Sequence, residues 1–129
     1  MTQRGPLGDE SERGSVSVLV AAIIAVVVVL ALGTADIARV LAAAASAQTA
    51  ANASALAAVQ ELAMPSGREP EEVAGEYAGR NGASLVACTC PAESFEAVVT
   101  VRMPVGTLLL FGDDRVVEAV ARAVVDLPA

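Results

Sequence analysis

Hydrophobic and polar positions divide the chain into three stretches, of which the first is the most apolar. Residues 15–35 form a run of 21 residues without a charge, and residues 18–32 within it are all aliphatic or Ala. A run of this length can cross a bilayer as a helix, whereas buried strands of similar composition usually have about 4–8 residues. We therefore predict a transmembrane helix over residues 15–35.

The next stretch, residues 36–63, predicts that the same helix continues beyond the membrane. It contains no Gly or Pro and is close to half Ala, which is the strongest helix former. Residues 42–55 within it carry no large apolar side chain. An unbroken helix from Gly14 to Ala63 would be about 75 Å long, and its Ala-rich surface would allow another helix or a sheet to pack closely.

Residues 64–129 predict a small head in which a short helix precedes strands. Pro65-Ser66-Gly67 ends the first helix, and a second helix begins around Glu69-Pro70-Glu71-Glu72 and closes at Arg80-Asn81-Gly82. Residues 84–88 and 95–103 are typical of strands, because apolar and polar side chains alternate along the second of them. We expect the apolar face of that strand, with Val99, Val101 and Met103, to pack against the Ala-rich half of the first helix.

The last element, residues 115–127, is ambiguous because its polar residues recur at every fourth position, which suits a strand and a helix alike. We favour a strand, since Val is abundant there and a sheet of two strands would be marginal. The predicted fold is α+β, with a small antiparallel sheet. Large side chains are few, so truncating Leu56 or Phe95 to Ala should cost about 2–5 kcal/mol if either is buried, as this packing expects.

Composition narrows the function. The chain has 28 Ala and 20 Val but only two Phe, one Tyr and no Trp, so its 55% hydrophobic content overstates the core. It has no His, and its eight basic residues are all Arg, which removes imidazole chemistry and lysine chemistry. The net charge of −7 disfavours a nucleic-acid partner. We expect neither enzymatic activity nor a cofactor.

The first residues, 1–14, are polar and charged, which predicts a disordered cytoplasmic tail. Arg4 and Arg13 precede the apolar run and Arg39 follows it, so the charge rule gives two Arg against one for an inward tail. An acidic head that carries Cys suits an exported compartment. We therefore predict a single-pass protein of the cell membrane, with the N-terminus cytoplasmic and the head extracytoplasmic.

Cys88 and Cys90 are the only pair of residues that suggests reactivity. Their spacing places both sulfurs on one side of an extended strand, where a disulfide, a redox-active pair, a metal site and a reduced or intermolecular form are the alternatives. A metal site lacks further Cys or His ligands, and the pair lacks basic neighbours that would lower a thiol pKa. We favour a structural disulfide. The alternative function is an exported, membrane-anchored redox or ligand-binding protein that uses this pair.

Asp36 and Arg39 lie three residues apart where the predicted helix leaves the membrane, close enough to pair on one helix face. Two interpretations remain open. The pair marks the bilayer boundary, or it sets the register of helices that pack together, since buried polar groups can fix register at a cost in stability.

Three segments resemble the TadE/TadG-like proteins of the tight-adherence (Flp-type) pilus-assembly system. They are Arg13-Gly14-Ser15-Val16-Ser17-Val18, the Asp36 that follows the apolar run, and Ala50-Ala51-Asn52-Ala53-Ser54-Ala55-Leu56-Ala57-Ala58. Asn52 stands where that family usually has Asp. The short chain, rich in Arg and free of Lys, looks most like the short TadE-like proteins encoded beside secretion ATPases in high-GC Gram-positive bacteria.

The resemblance implies a membrane-anchored, pilin-like component of a pilus-assembly or secretion apparatus, acting by helix packing and not by catalysis. Its expected partners are the membrane, platform proteins and pilin-like subunits, with homo- or hetero-oligomers formed through the N-terminal helix.

Two processing sites follow from the sequence. Gly14-Ser15 is placed for a prepilin peptidase, but the fifth residue after the cut would be Leu19 and not the usual Glu, so we expect no cut there. Gly33-Thr34-Ala35 matches a signal-peptidase site before Asp36, although the apolar run is longer than a usual signal peptide.

Overall fold

The computed structural model describes the backbone of residues 5–128 and the side chains of residues 13–128. It confirms an α+β fold with a long apolar helix, a short helix and an antiparallel sheet of three strands. The elements in chain order are α1 (Gly5–Ala63), α2 (Pro70–Arg80), β1 (Ser84–Thr89), β2 (Glu96–Pro104) and β3 (Val116–Val124).

Helix α1 has 59 residues and begins at Gly5, earlier than the expected Gly14. Pro6 stands in the first turn, where a missing N–H costs nothing, so the sequence allows this early start. The tail predicted over residues 1–14 falls partly on residues 1–4, which lie outside the described residues. From Gly5 onward the backbone is helical, and α1 is about 90 Å long at 1.5 Å per residue.

The N-terminal half of α1 stands apart from the head. By length and composition, it is the one helix among the described residues that could cross a membrane, and none of its most apolar 18-residue window is buried. Val18 and Leu30, which lie towards opposite ends of the uncharged run of residues 15–35, are 71% and 64% exposed. Exposure of an apolar surface of this size to water is unfavourable, so we expect this surface to lie in an apolar environment.

The C-terminal half of α1 packs against the sheet through small side chains. Ala residues at helical spacing leave the helix surface smooth, so the sheet approaches closely. The fully buried core residues of α1 and β2 are Ala47, Ala50, Ala51, Ala58, Ala97, Val99 and Val101.

The sheet has the order β1-β2-β3, and both neighbouring pairs are antiparallel. Strand β2 is central, and its register with β3 runs unbroken from Glu96 opposite Val124 to Pro104 opposite Val116. β1 has a register irregularity at Val86. The preference for a strand over residues 115–127 is therefore confirmed, because β3 lies within that range.

The two large side chains that we expected in the core are not there. Leu56 is 52% exposed and Phe95 is 38% exposed, whereas Val99 and Val101 are fully buried. The expectation that these side chains are buried is wrong. Leu56 stays outside the core because the face of α1 that meets the sheet is formed mainly by Ala, and Phe95 lies just before the first residue of β2. The cost expected for truncating them does not apply.

Polar contacts fix the end of α1. The Glu61 Oε1 atom accepts hydrogen bonds from the backbone N–H and the hydroxyl of Ser66, both at 2.7 Å, and from the Arg68 N–H at 3.2 Å. Arg68 also forms ion pairs with Glu72 and Glu76 of α2. The turn between the helices is thus held from both sides.

Candidate functional site

Asp36 lies on α1 immediately after the apolar run, and its side chain is completely buried. One carboxylate oxygen, Oδ1, accepts a hydrogen bond from the backbone N–H of Leu109, and Oδ2 accepts one from Leu110, each at 2.7 Å. Residues 105–111, which we call the apolar connector, lie in the segment that links β2 to β3. The carboxylate therefore ties the connector to α1 through backbone groups that any sequence would offer.

Arg39 reinforces this attachment from the next turn of α1. Its Nη1 atom donates a hydrogen bond to the carbonyl oxygen of Thr107 at 2.6 Å. Among the ion pairs of the described residues, none joins Arg39 to Asp36. The structure thus brings both predicted residues together on one connector, and we call Asp36 and Arg39 the clamp.

The surroundings of Asp36 act on its pKa in opposite directions. Burial raises the pKa, but the N–H groups of Leu109 and Leu110, with the charge of Arg39, outweigh burial and hold the pKa below the ordinary value of 3.8. The carboxylate is therefore ionised at neutral pH, and both of its oxygens act as acceptors.

Acid is expected to destabilise the head at three carboxyls. Hydrogen bonds donated by Ser66 lower the pKa of Glu61, and those donated by Arg68 lower the pKa of Glu76, from an ordinary 4.5. Because these folded-state pKa values and that of Asp36 lie below the unfolded ones, the stabilisation is present above pH 4.5 and is lost as pH falls through the folded values.

Thermal unfolding of the full chain in detergent, followed by circular dichroism between pH 7 and pH 2.5, measures this loss. An Asp36→Asn variant should show a smaller drop in melting temperature than the wild type, and Asp114→Asn, at an exposed site, should match the wild type. Equal drops in the wild type and in Asp36→Asn would contradict the role given to Asp36.

Cys88 is the next-to-last residue of β1, and Cys90 directly follows the strand. The structure joins their sulfurs in a disulfide, with the two Cα atoms 5.7 Å apart. Both side chains are partly buried and pack against the core. This position suits a structural cross-link at the end of an outer strand. No group of three His, Cys, Asp or Glu side chains that could hold a metal ion occurs within the described residues.

Gly14 and Ser15 lie inside α1, and among the described residues nothing outside the neighbouring helix backbone comes within 4 Å of the place that a Cβ would take on Gly14. Gly33 and Ala35 are helical too, and both are partly covered. A Cβ on Gly33 would meet Leu110 Cδ1 at 3.8 Å.

Sequence reasoning did not foresee the partners of the clamp. The Asp36 carboxylate contacts residues 73 and 74 positions away, and the contacted groups are backbone N–H groups, which leave no pattern in a sequence. Gln48 was missed for the same reason, since its Nε2 atom donates to the Val120 carbonyl and to the Asn52 Oδ1 atom, both at 3.1 Å. The one available signal was a single carboxylate at the end of an apolar run.

The long apolar helix carries the small α+β head on its C-terminal half, and part of this helix matches a known family. Residues 14–61 match the family model described as "Putative Flp pilus-assembly TadE/G-like". The match covers the apolar run of α1, the clamp and the Ala-rich face, and it confirms the resemblance seen in the sequence. Comparison with curated proteins and with solved structures gave no match.

Proposed function

We propose that this protein is a membrane-anchored, pilin-like component of a Flp-type pilus-assembly or secretion apparatus, acting by helix packing and not by catalysis. The family match over residues 14–61 supports the pilus-assembly role. The observation that carries the packing mechanism is the exposed apolar surface of α1, which no other part of the described chain covers.

That exposed surface continues past the predicted membrane boundary. Ile37 is 59% exposed and Leu41 is 64% exposed, although Ala43 and Ala47, on another side of the same helix, are buried. Apolar side chains that stay exposed beyond the bilayer suit contact with a helix of a neighbouring subunit. In this proposal residues 15–35 span the membrane, residues 36–63 present the packing surface, and residues 64–129 form the head.

The head lies outside the cell in this proposal, with the N-terminal segment in the cytoplasm. The acidic head and its disulfide support that orientation, since disulfides persist in oxidising compartments. A membrane-impermeant thiol reagent applied to reduced whole cells should label Cys88 and Cys90. Labelling only after lysis would place the head in the cytoplasm.

We expect the chain to remain uncut at both sites. Proteases need an extended substrate, and Gly33-Thr34-Ala35 is helical, partly covered and next to the clamp. Mass spectrometry of the membrane-extracted protein gives the mature N-terminus. One at Ser15 would indicate prepilin-peptidase processing, and one at Asp36 would indicate a secreted protein.

Photo-crosslinking in living cells tests the packing mechanism. A benzophenone amino acid at Leu41 should form adducts with another pilus or secretion component or with a second copy, whereas one at Arg122, on the outer face of the sheet, should form far fewer. Both positions are exposed. Equal yields at the two positions, or extraction of the protein from membranes by alkaline carbonate, would refute the proposal.

A redox role for the Cys pair makes a different prediction. Cys88→Ser would abolish function if the thiols reacted, but would leave assembly intact, with lower stability, if the disulfide were structural. The partial burial of both residues against the core favours the structural role.

A further inference from the structure

The apolar connector exposes three large side chains in succession. Leu109 is 50%, Leu110 44% and Phe111 54% exposed, although a soluble head would be expected to bury them. They lie at the membrane end of the head, because the clamp holds the connector beside Asp36.

The depth of this connector follows from one contact. Leu110 Cδ1 lies 3.8 Å from the place that a Cβ would take on Gly33, and Gly33 is inside the uncharged run of residues 15–35. If that run spans the bilayer, then Leu110 is at the level of the last turn within it. The connector is therefore continuous with the apolar surface of α1.

A loop can enter an apolar layer only when its backbone polar groups have partners. Here the clamp supplies partners for three of these groups: Asp36 accepts from the Leu109 and Leu110 N–H groups, and Arg39 donates to the Thr107 carbonyl. Gly106 and Gly112, with φ of +87° and +82°, turn the backbone on either side of the exposed side chains.

The charges around the connector do not favour an anionic surface. Arg39 and Arg115 provide two positive charges beside it, whereas Asp36, Asp113 and Asp114 provide three negative ones. Anionic lipid would therefore gain little by attraction, and apolar burial would dominate any contact with a membrane.

We infer that the apolar connector is a second membrane contact, in which Leu109, Leu110 and Phe111 enter the lipid layer where α1 leaves the bilayer. The clamp favours this contact by satisfying three backbone groups of the connector, and the contact fixes the tilt and rotation of the head relative to the membrane. The inference rests on the proposed membrane span of residues 15–35.

The chain has no Trp, so single Trp substitutions report local environment. The full chain carrying Phe111→Trp, reconstituted in phosphatidylcholine vesicles, should show blue-shifted emission and several-fold stronger quenching by brominated lipid than Met64→Trp. Met64 is 74% exposed and lies about 42 Å along the helix axis from Asp36. Leu109→Trp is a second probe in case Phe111→Trp disturbs folding.

Leu30→Trp separates this inference from the proposed function. Quenching at Leu30 without quenching at Phe111 and Leu109 would overturn the membrane contact and leave the span intact, whereas no quenching at Leu30 would refute the span itself. Quenching at Phe111 should persist when protein is diluted in lipid and when anionic lipid is added. A signal that vanished on dilution would instead assign the connector to a second copy of the chain and overturn the inference.

Discussion

Asp36→Ala is expected to release the apolar connector from α1. Removing the carboxylate leaves the partly buried N–H groups of Leu109 and Leu110 without their acceptor, and an unsatisfied N–H away from water costs more than a hydrogen bond contributes. Amide hydrogen exchange in a peptide covering residues 105–112 should accelerate on the order of tenfold or more, since local opening then needs fewer broken contacts. Exchange in β2 should change little.

Two variants sharpen this test. Asp36→Asn keeps one acceptor oxygen but turns an NH2 group towards the other N–H, so it should give an intermediate acceleration. Asp114→Ala removes an exposed carboxylate close to the connector and should leave exchange unchanged. If Asp36→Ala exchanged like the wild type over residues 105–112, the clamp would have no role in holding the connector.

The order and type of the elements could be predicted because local signals marked them. Pro65 and Gly67 end α1, Pro70 opens α2, and alternation along residues 95–103 identifies β2. These signals depend on near neighbours in the chain, so no tertiary information is needed. The start of α1 was less predictable, because nothing before Gly14 forbids a helix and helix ends are weakly specified.

Burial was harder to predict than secondary structure. Leu56 follows Ala55, yet a step of one residue turns the helix by about 100°, so Ala55 is buried while Leu56 is half exposed. Size suggested that Leu56 belonged in the core. The sheet instead packs against the face of α1 that carries the smallest side chains. Which face that is depends on the shape of β2, and the sequence of the helix alone gives no information about that shape.

The candidate site was found only in part. Asp36 and Arg39 stood out because they end an uncharged run, but their partners are backbone atoms of Thr107, Leu109 and Leu110. Those atoms contact the clamp only because the end of β2 places the connector beside Asp36 on α1. A residue pair can therefore be recognised from the sequence while its function depends on the assembled fold.

Ala51→Leu is expected to destabilise the head by about 1–3 kcal/mol, because a larger side chain must push the sheet away from α1 or adopt a strained rotamer. Ala51 is fully buried in the core shared with Val99 and Val101. Chemical denaturation of the full chain in detergent, followed by near-ultraviolet circular dichroism or by exchange in β2, gives the change in the free energy of unfolding.

The matched control makes the same substitution on the other side of the helix. Ala44 is exposed, so Ala44→Leu adds the same volume without meeting the sheet and should leave stability nearly unchanged. Leu56→Ala should also cost little, in contrast to a buried Leu, because half of its surface is already exposed. Equal stability of Ala51→Leu and Ala44→Leu would mean that the sheet does not rest on the Ala face. The predicted span and the Ala face occupy different halves of the same helix. If Ala51→Leu weakens packing of the sheet while the protein stays in the membrane, then the head packs on α1 independently of the membrane anchor.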